Sequence, residues 1–128
     1  MPAYDQDRFA PPAPVAEIDL GRAEAGAPWL RAPMLIDSGA DITLVPRNLV
    51  NQLGVPFASA KQYELVGFDG ARSFSPAVGL RLRFLGRVFE GLFVLIEQEH
   101  GILGRNILNA LPLVLDGPRL EWSELRRS

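Results

Sequence analysis

Residues 34–45 read Met-Leu-Ile-Asp-Ser-Gly-Ala-Asp-Ile-Thr-Leu-Val. Two apolar runs flank a turn of small residues, and their composition predicts two short strands. The turn carries Asp37 beside Gly39, whose missing side chain leaves the carboxylate open to an approaching group. Because an unpaired buried charge is costly, an acidic residue between two buried strands requires a reason. The structural alternative is a plain Asx-type turn, in which Asp37 caps its own backbone.

The chain has the length and composition of one globular domain. Its 128 residues, 48% of them hydrophobic and 22% charged, are enough for one core. A net charge of −2 provides no electrostatic surface for nucleic acid, and the absence of cysteine excludes disulfides and thiol chemistry. The sequence shows no signal-peptide pattern, and no apolar run approaches the ~20 residues that span a membrane. We therefore expect a cytoplasmic protein without a nucleic-acid or membrane partner.

Hydropathy patterns divide the chain into three segments. Residues 1–14 are polar and then rich in proline and alanine, without periodicity, which predicts a flexible N-terminal arm. Residues 15–122 form the predicted domain, and residues 123–128 form a polar tail. Helical spacing of apolar residues occurs at 47–54 and 105–111, whereas much of the remaining domain alternates with the period of a strand. The prediction is a mainly β fold with one or two short helices.

A hairpin is predicted in the middle of the domain. Residues 61–66 have the pattern of a strand and lead into Gly67-Phe68-Asp69-Gly70, a tight tip, after which residues 72–78 return. Because Pro76 cannot donate a backbone hydrogen bond, the returning strand is predicted to lie at a sheet edge. Residues 88–96 are apolar at nearly every position, which predicts a central strand.

Three large side chains outside these motifs are expected to have structural roles only. Arg81 and Arg83 alternate with apolar residues and predict a solvated strand face. Trp29 is predicted to be a packing residue, because basic and aromatic residues are not clustered around it in the sequence.

A second motif, Gly101-Ile-Leu-Gly-Arg-Asn, lies about sixty residues after Asp37. Together the two segments resemble the retropepsin family, the single-domain aspartic proteases of retroviral type. The marks of that family are hydrophobic-hydrophobic-Asp-[Thr/Ser]-Gly-Ala and, later, hydrophobic-hydrophobic-Gly-Arg-[Asn/Asp]. The resemblance covers about residues 15–122. It implies a retropepsin-like acid protease barrel in which the predicted hairpin is a flap that closes over a bound peptide.

The number of candidate catalytic carboxylates in one chain predicts that the protein works as a homodimer. Peptide hydrolysis by carboxylates needs two of them, sharing one proton because they are too close for both to ionise. Asp69 and Asp116 lie in Asp-Gly turns and are predicted to be turn formers, so Asp37 is the one candidate in this chain. A complete site therefore requires Asp37 from a second copy, most economically in a two-fold symmetric homodimer.

The resemblance also implies roles for residues of the first motif. Asp37 would be the catalytic acid and base. Ser38, in place of the usual threonine, would brace the active-site loop across the dimer axis, and Ala40 would support the same loop. Gly39 and Asp41 would contact the substrate backbone.

Further roles follow for the second motif and the hairpin tip. Arg105 would pair with Asp41 inside the subunit, and Gly104 would support the site by permitting close backbone packing. Gly67 and Phe68 would contact the substrate from the flap, although the family often has small residues or glycine where this chain has Phe68.

The predicted function is that of an aspartic endopeptidase. It would hydrolyse a peptide or protein substrate as a homodimer, using water and no metal or other cofactor. The alternative is a catalytically silent retropepsin-like module for dimerisation or peptide binding, and the intact motif at 37–40 favours the enzyme. Because the terminal segments do not match those of viral enzymes clearly, we expect that the dimer sheet is built differently, from the C-terminal strands alone.

Overall fold

The computed structural model describes residues 2–24, 26–57, 61–67 and 69–126. These residues form nine strands and two short helices. In chain order the elements are β1 (Val15–Arg22), β2 (Trp29–Ile36), β3 (Leu44–Pro46), α1 (Arg47–Gln52), β4 (Gln62–Val66), β5 (Arg72–Phe84), β6 (Arg87–Ile96), β7 (Gly101–Leu103), α2 (Arg105–Leu108), β8 (Leu113–Asp116) and β9 (Glu121–Glu124).

Six of the strands close into a barrel. Their order is β1-β2-β7-β3-β6-β5, and β1 pairs again with β5 to complete the ring. Leu20 lies opposite Leu30 on β2 and opposite Leu82 on β5. Alternate residues of β1 and β5, such as Ile18, Leu20 and Leu82, face the inside of the barrel and are fully buried. The mainly β fold class predicted from the sequence is therefore confirmed.

The strand β5 is longer than the hydropathy pattern predicts. It runs through Pro76 and Gly79 without interruption. Residues 72–76 pair with β4 alone, as predicted for a sheet edge, whereas Ala77 and Val78 already pair with β6. Gln62 on β4 lies opposite Pro76, and the next residue, Ala77, lies opposite Val94 on β6. Pro76 is thus the last residue of β5 that pairs with β4, directly before the strand begins to pair with β6. Because no described strand lies on the other side of Pro76, its missing N–H interrupts no hydrogen-bond ladder there.

The strand β6 is buried over only part of its length. Residues 93–95 are buried, as predicted for a central strand, but Val88 and Leu92 are exposed. The apolar pattern of residues 88–96 therefore overstates the buried part of this strand. Its first half lies opposite the end of β5, where one barrel face is open to solvent.

The side chain of Trp29 has cationic partners that its sequence neighbours do not indicate. The guanidinium groups of Arg81 and Arg83 lie 4.7 and 4.3 Å from the centroid of its ring. Gly21 of β1 separates Trp29 from Arg81 in the sheet, and its lack of a side chain leaves room for the ring. The arginines that were predicted as a solvated face therefore also stack on an aromatic side chain.

Both ends of the chain meet outside the barrel. β8 and β9 form a separate antiparallel hairpin, in which β9 runs to Glu124, two residues into the predicted polar tail. Tyr4 N donates to Leu120 O at 2.8 Å, and Trp122 N donates to Pro2 O at 3.0 Å. The first residues of the arm, which the composition predicts to be flexible, are thus hydrogen-bonded to the start of β9 and to the residue before it. No described helix is long and apolar enough to cross a membrane.

Candidate active site

Asp37 follows directly after β2, at the end of the barrel where β2 lies parallel to β7. Its backbone N–H donates to Leu103 O at 3.1 Å, which continues the ladder between these strands by one residue. The side chain is half buried, and Oδ1 accepts a hydrogen bond of 2.9 Å from Gly39 N. The Asx-type turn is therefore present, and the carboxylate is held in one orientation by the backbone of its own turn.

The turn is tied to the start of α2. Ala40 N donates to Asp37 O at 3.2 Å, and Ala40 O accepts from Arg105 N at 2.8 Å. The guanidinium of Arg105 also donates from Nη1 to Ser38 O at 2.8 Å. Two of the turn carbonyls thus accept hydrogen bonds from one residue that lies far away in the sequence. The role of Arg105 as a support of an active site stays a prediction.

The predicted ion pair between Asp41 and Arg105 is not formed. Among the described residues neither carboxylate oxygen of Asp41 accepts a hydrogen bond or lies within 4.0 Å of a cationic group. Arg105 is directed to the carbonyl of Ser38 instead, and Asp41 is exposed. The substrate contact predicted for Asp41 stays a prediction.

Thr43 is a support of the site that the sequence reasoning missed. Its side chain is only 1% exposed, between two apolar neighbours. Its hydroxyl accepts from Gly104 N at 3.0 Å and donates to Asn106 Oδ1 at 2.7 Å. One buried hydroxyl therefore joins the strand that leaves the turn to the second motif. The sequence did contain a signal for this contact: Thr43 is a lone polar residue inside an apolar run, and a buried hydroxyl requires a hydrogen-bond partner.

Gly104 lies where the two motifs touch. A Cβ atom built on it would overlap the backbone carbonyl of Ile42, so only glycine fits without a backbone shift. Its φ of −93° is ordinary for any residue, which means that close approach and not backbone conformation requires the glycine here. The close packing expected of Gly104 is present. Gly101 is similarly restricted, by Leu44 O and the side chain of Met34.

The predicted hairpin forms the β4–β5 ribbon. Gly67 N donates to Ala71 O at 2.9 Å, and Asp69 Oδ1 accepts from Ala71 N at 2.9 Å. Phe68, predicted to contact substrate, lies outside the described residues. The side chain of Val66 beside the tip is 65% exposed, so the ribbon presents apolar surface to solvent. The role of this ribbon as a flap stays a prediction.

The other aspartates of Asp-Gly turns serve those turns. Asp116 Oδ1 accepts from Arg119 N at 3.3 Å, as Asp69 does from Ala71 N, so both are turn formers as predicted. In the described part of the chain the Asp37 carboxylate is hydrogen-bonded only to Gly39, which leaves Oδ2 without a partner. No group of three or more acidic or histidine side chains among the described residues is placed to hold a metal ion.

A groove of about 860 Å³ lies between the N-terminal arm and the barrel, away from this site. Tyr4, Asp5 and Trp122 are among its lining residues, and Asp37 is not. Ser38 and Gly39 beside Asp37 are exposed, so the turn is open to solvent in the single chain.

The comparisons with known proteins show the fold. No protein-family model matches the chain, and no curated protein matches it in sequence. Among solved structures, the chain is similar to the EIAV protease complexed with the inhibitor HBY-793, with a TM-score of 0.55 and 18% sequence identity. The match covers 85% of this chain and 93% of that chain. A likeness at this identity is one of architecture, and it supports the predicted retropepsin-like barrel.

Proposed function

We propose that the protein is an aspartic endopeptidase that works as a homodimer. The observation that carries this proposal is the anchoring of the Asp37 turn. Gly39 N orients one carboxylate oxygen, Arg105 holds the carbonyl of Ser38, and the other oxygen of Asp37 has no partner within the described part of its own chain. A turn former needs only the first of these contacts, whereas a catalytic carboxylate benefits from a rigid support.

The chemistry requires the Asp37 carboxylates of two chains to lie side by side. Like charges in contact cannot both ionise, so the pair holds one proton and titrates as a unit. The ionised member takes a proton from water while the protonated member donates a hydrogen bond to the peptide carbonyl. The oxygen of the water then adds to the carbonyl carbon to form a tetrahedral adduct. As the proton taken from the water passes to the amide nitrogen, the C–N bond breaks, which leaves a carboxylic acid and an amine.

The substrate would be an extended polypeptide lying between the Asp37 turn and the β4–β5 ribbon. An extended peptide offers backbone N–H and C=O groups to a neighbouring strand, and its side chains alternate between two faces. Gly39, Asp41, Gly67 and Phe68 are the residues proposed to contact it. The Ser38 hydroxyl is proposed to brace the two turns against each other across the dimer axis.

The test is cleavage of a diverse peptide mixture from mildly acidic to neutral pH, with the rate followed against enzyme concentration. We expect the rate to rise faster than linearly at low concentration, because only the dimer is active. Adding an excess of the Asp37→Asn protein to a fixed amount of wild type should lower the rate, since mixed dimers lack one carboxylate.

Three outcomes would count against the proposal. Equal cleavage by wild type and Asp37→Asn would assign the activity to a contaminant. A rate that does not change when the Asp37→Asn protein is added would place the site within one chain. A folded dimer that binds peptides and cleaves none at any pH would favour the peptide-binding module instead.

A further inference from the structure

The groove between the N-terminal arm and the barrel is a concave surface separate from the Asp37 turn. Its volume of about 860 Å³ is within the range of pockets that hold a ligand. Residues 2–8 of the arm form one wall. The opposite wall and the floor come from the barrel and β9, and they consist of Val15, Glu17, Phe84, Leu85 and Trp122. The proposed hydrolysis uses none of these residues.

The arm wall is held in place by its own hydrogen bonds. Asp5 and Ala13 exchange two backbone hydrogen bonds, of 2.8 and 3.2 Å, which close the arm into a loop. The Asp5 carboxylate also accepts from the backbone N–H groups of Asp7 and Arg8, at 2.9 Å each, and from the Arg8 guanidinium at 3.1 Å. Arg8 is the only cationic side chain among the described lining residues, and Asp5 neutralises it.

Two further carboxylates, one on each wall, have no counter-ion. Asp7 lies on the arm and Glu17 lies on β1, and both are exposed. In the described part of the chain neither carboxylate accepts a hydrogen bond or lies within 4.0 Å of a cationic group. Because the pair of Asp5 and Arg8 is neutral, the groove carries two uncompensated negative charges. Its charge is therefore complementary to a cationic occupant.

Leu85 adds an apolar side chain to the barrel wall at a cost in backbone strain. Its φ is 52° and that of Gly86 is 76°, so the β5–β6 turn has the backbone that Asn-Gly pairs usually supply. The side chain of Leu85 is half buried and lines the groove. Such a wall suits the aliphatic stem of a long cationic side chain, whose charged head reaches the two carboxylates.

The arm also offers backbone groups that an extended peptide can use. The hydrogen bonds from Tyr4 N to Leu120 O and from Trp122 N to Pro2 O flank Ala3. Because neighbouring residues of a strand direct their backbone groups to opposite sides, the N–H and C=O of Ala3 point away from β9. Neither group makes a backbone hydrogen bond within the described residues. One donor and one acceptor are thus free at a residue that lines the groove.

We propose that this groove binds a basic, extended peptide segment of another protein. An arginine or lysine of the segment places its charged head between Asp7 and Glu17 and its aliphatic stem on Leu85. The backbone of the segment pairs with the free N–H and C=O of Ala3, as in the addition of a strand to a sheet edge. Because the groove and the Asp37 turn are separate, the inference does not rest on the proposed function.

The first test compares two labelled peptides. The probe is a fluorescein-labelled peptide with arginine at every second position between alanines, and the control peptide has glutamine in place of each arginine. Fluorescence anisotropy measures binding to the Asp37→Asn protein, so that no peptide is cleaved. We expect saturable binding of the arginine peptide that weakens with added salt, and at least about tenfold weaker binding of the glutamine peptide. Equal binding of the two peptides, or no binding of the arginine peptide, would overturn the inference.

The carboxylates are tested by two variants with the same change in net charge. Asp7→Asn with Glu17→Gln removes two charges from the groove, whereas Glu90→Gln with Glu99→Gln removes two that do not line it. We expect the first variant to raise the Kd of the arginine peptide at least about fivefold and the second to leave it within about twofold. Equal effects would show that the peptide responds to overall charge, which would contradict binding in the groove.

Leu85 separates peptide binding from stability. Asparagine tolerates a positive φ better than leucine does, so Leu85→Asn relieves the turn while it removes the apolar wall. Leu120 has a φ of 53° in the β8–β9 turn and does not line the groove, which makes Leu120→Asn the matched control. We expect Leu85→Asn to raise the Kd at least about threefold and Leu120→Asn to leave it unchanged, with circular dichroism showing that both are folded. The same Kd in both variants would contradict the placement of the peptide against Leu85.

These measurements are independent of the protease activity. Peptide binding that depends on Asp7, Glu17 and Leu85, in a protein whose wild type shows no Asp37-dependent cleavage, would support the groove and overturn the proposed function. Asp37-dependent cleavage by a protein whose peptide binding is insensitive to the groove variants would leave the protease and overturn this inference.

Discussion

Two turns of this chain place an aspartate beside a glycine and make the same local hydrogen bond. Gly39 N donates to Asp37 Oδ1, and Ala71 N donates to Asp69 Oδ1, both at 2.9 Å. The turn at Asp37 is additionally held by the distant Arg105, whereas the turn at Asp69 ends an exposed ribbon. The local motif is thus the same at both places. What sets the candidate site apart is support from a second, distant segment.

The largest expected effect is a difference in peptide-cleavage rate between substitutions of Asp37 and of Asp69. Asparagine keeps an acceptor oxygen for the turn hydrogen bond but cannot act as a base. We expect Asp37→Asn to lower the peptide-cleavage rate by at least about 10²–10⁴-fold and Asp69→Asn to leave it within about twofold. Steady-state kinetics at equal dimer concentration measures both. Comparable losses in the two variants would mean that the turns do not differ in function.

The next largest effect is expected when the contact between the Asp37 motif and the Gly104 motif is broken. We expect Gly104→Ala to lower the free energy of unfolding by about 2–4 kcal/mol, because the new methyl group collides with the carbonyl of Ile42. Gly79→Ala is the control, since nothing lies within 4 Å of a Cβ atom there. Urea unfolding compares them. A Gly104→Ala protein as stable as the control would show that the motifs can separate at little cost.

Removing the buried hydroxyl should have a smaller effect. Thr43→Val keeps the side-chain shape but leaves Gly104 N and Asn106 Oδ1 without their partner. We expect a loss of about 1–3 kcal/mol in the free energy of unfolding, and a smaller loss for Thr43→Ser, which retains the hydroxyl. Denaturant melts of the three proteins test this. A Thr43→Val protein as stable as the wild type would show that the two hydrogen bonds of this hydroxyl do not contribute to stability.

The contact at Ser38 is exposed and should contribute less to stability than to activity. Arg105→Met removes the hydrogen bond to the carbonyl of Ser38, for an expected loss of about 1 kcal/mol. We expect its cleavage rate to fall severalfold, because the turn loses one support. Arg72→Met, which breaks an exposed ion pair on the ribbon, is the matched control and should change stability by less than about 0.5 kcal/mol. Equal rates for both variants would remove Arg105 from the support of the site.

A further aspartate turn, in the N-terminal arm, predicts a small dependence of the folded protein's stability on pH. The backbone N–H of Arg8, with help from that of Asp7 and from the Arg8 guanidinium, lowers the pKa of Asp5 from its usual value of 3.8. A lowered pKa stabilises the folded protein above the unfolded value, and this contribution is lost as the pH falls through the folded value. An NMR titration of the Asp5 carboxyl measures the direction, with Asp5→Asn to assign the signal. An unshifted titration would mean that this turn is not formed in solution.

The features that could be predicted from sequence are local ones. Small residues between two apolar runs mark the Asp37 turn, and an alternating pattern marks the strands, because both depend on neighbours in the chain. The close packing at Gly104 follows from a glycine inside a buried segment. The edge position assigned to residues 72–78 holds only for residues 72–76, because β5 exchanges β4 for β6 after Pro76, and a local pattern does not contain that exchange.

By itself the sequence determined that one aspartate lies at a tight turn between buried strands, and that any paired carboxylate has to come from elsewhere. The tertiary structure decided which groups hold that turn. Arg105 donates to Ser38 O and not to Asp41, and Thr43 joins the two motifs through one buried hydroxyl. Such contacts depend on the strand order that brings residues about sixty positions apart together. That order is set by the packing of the whole barrel, since each strand buries its apolar face only against its neighbours.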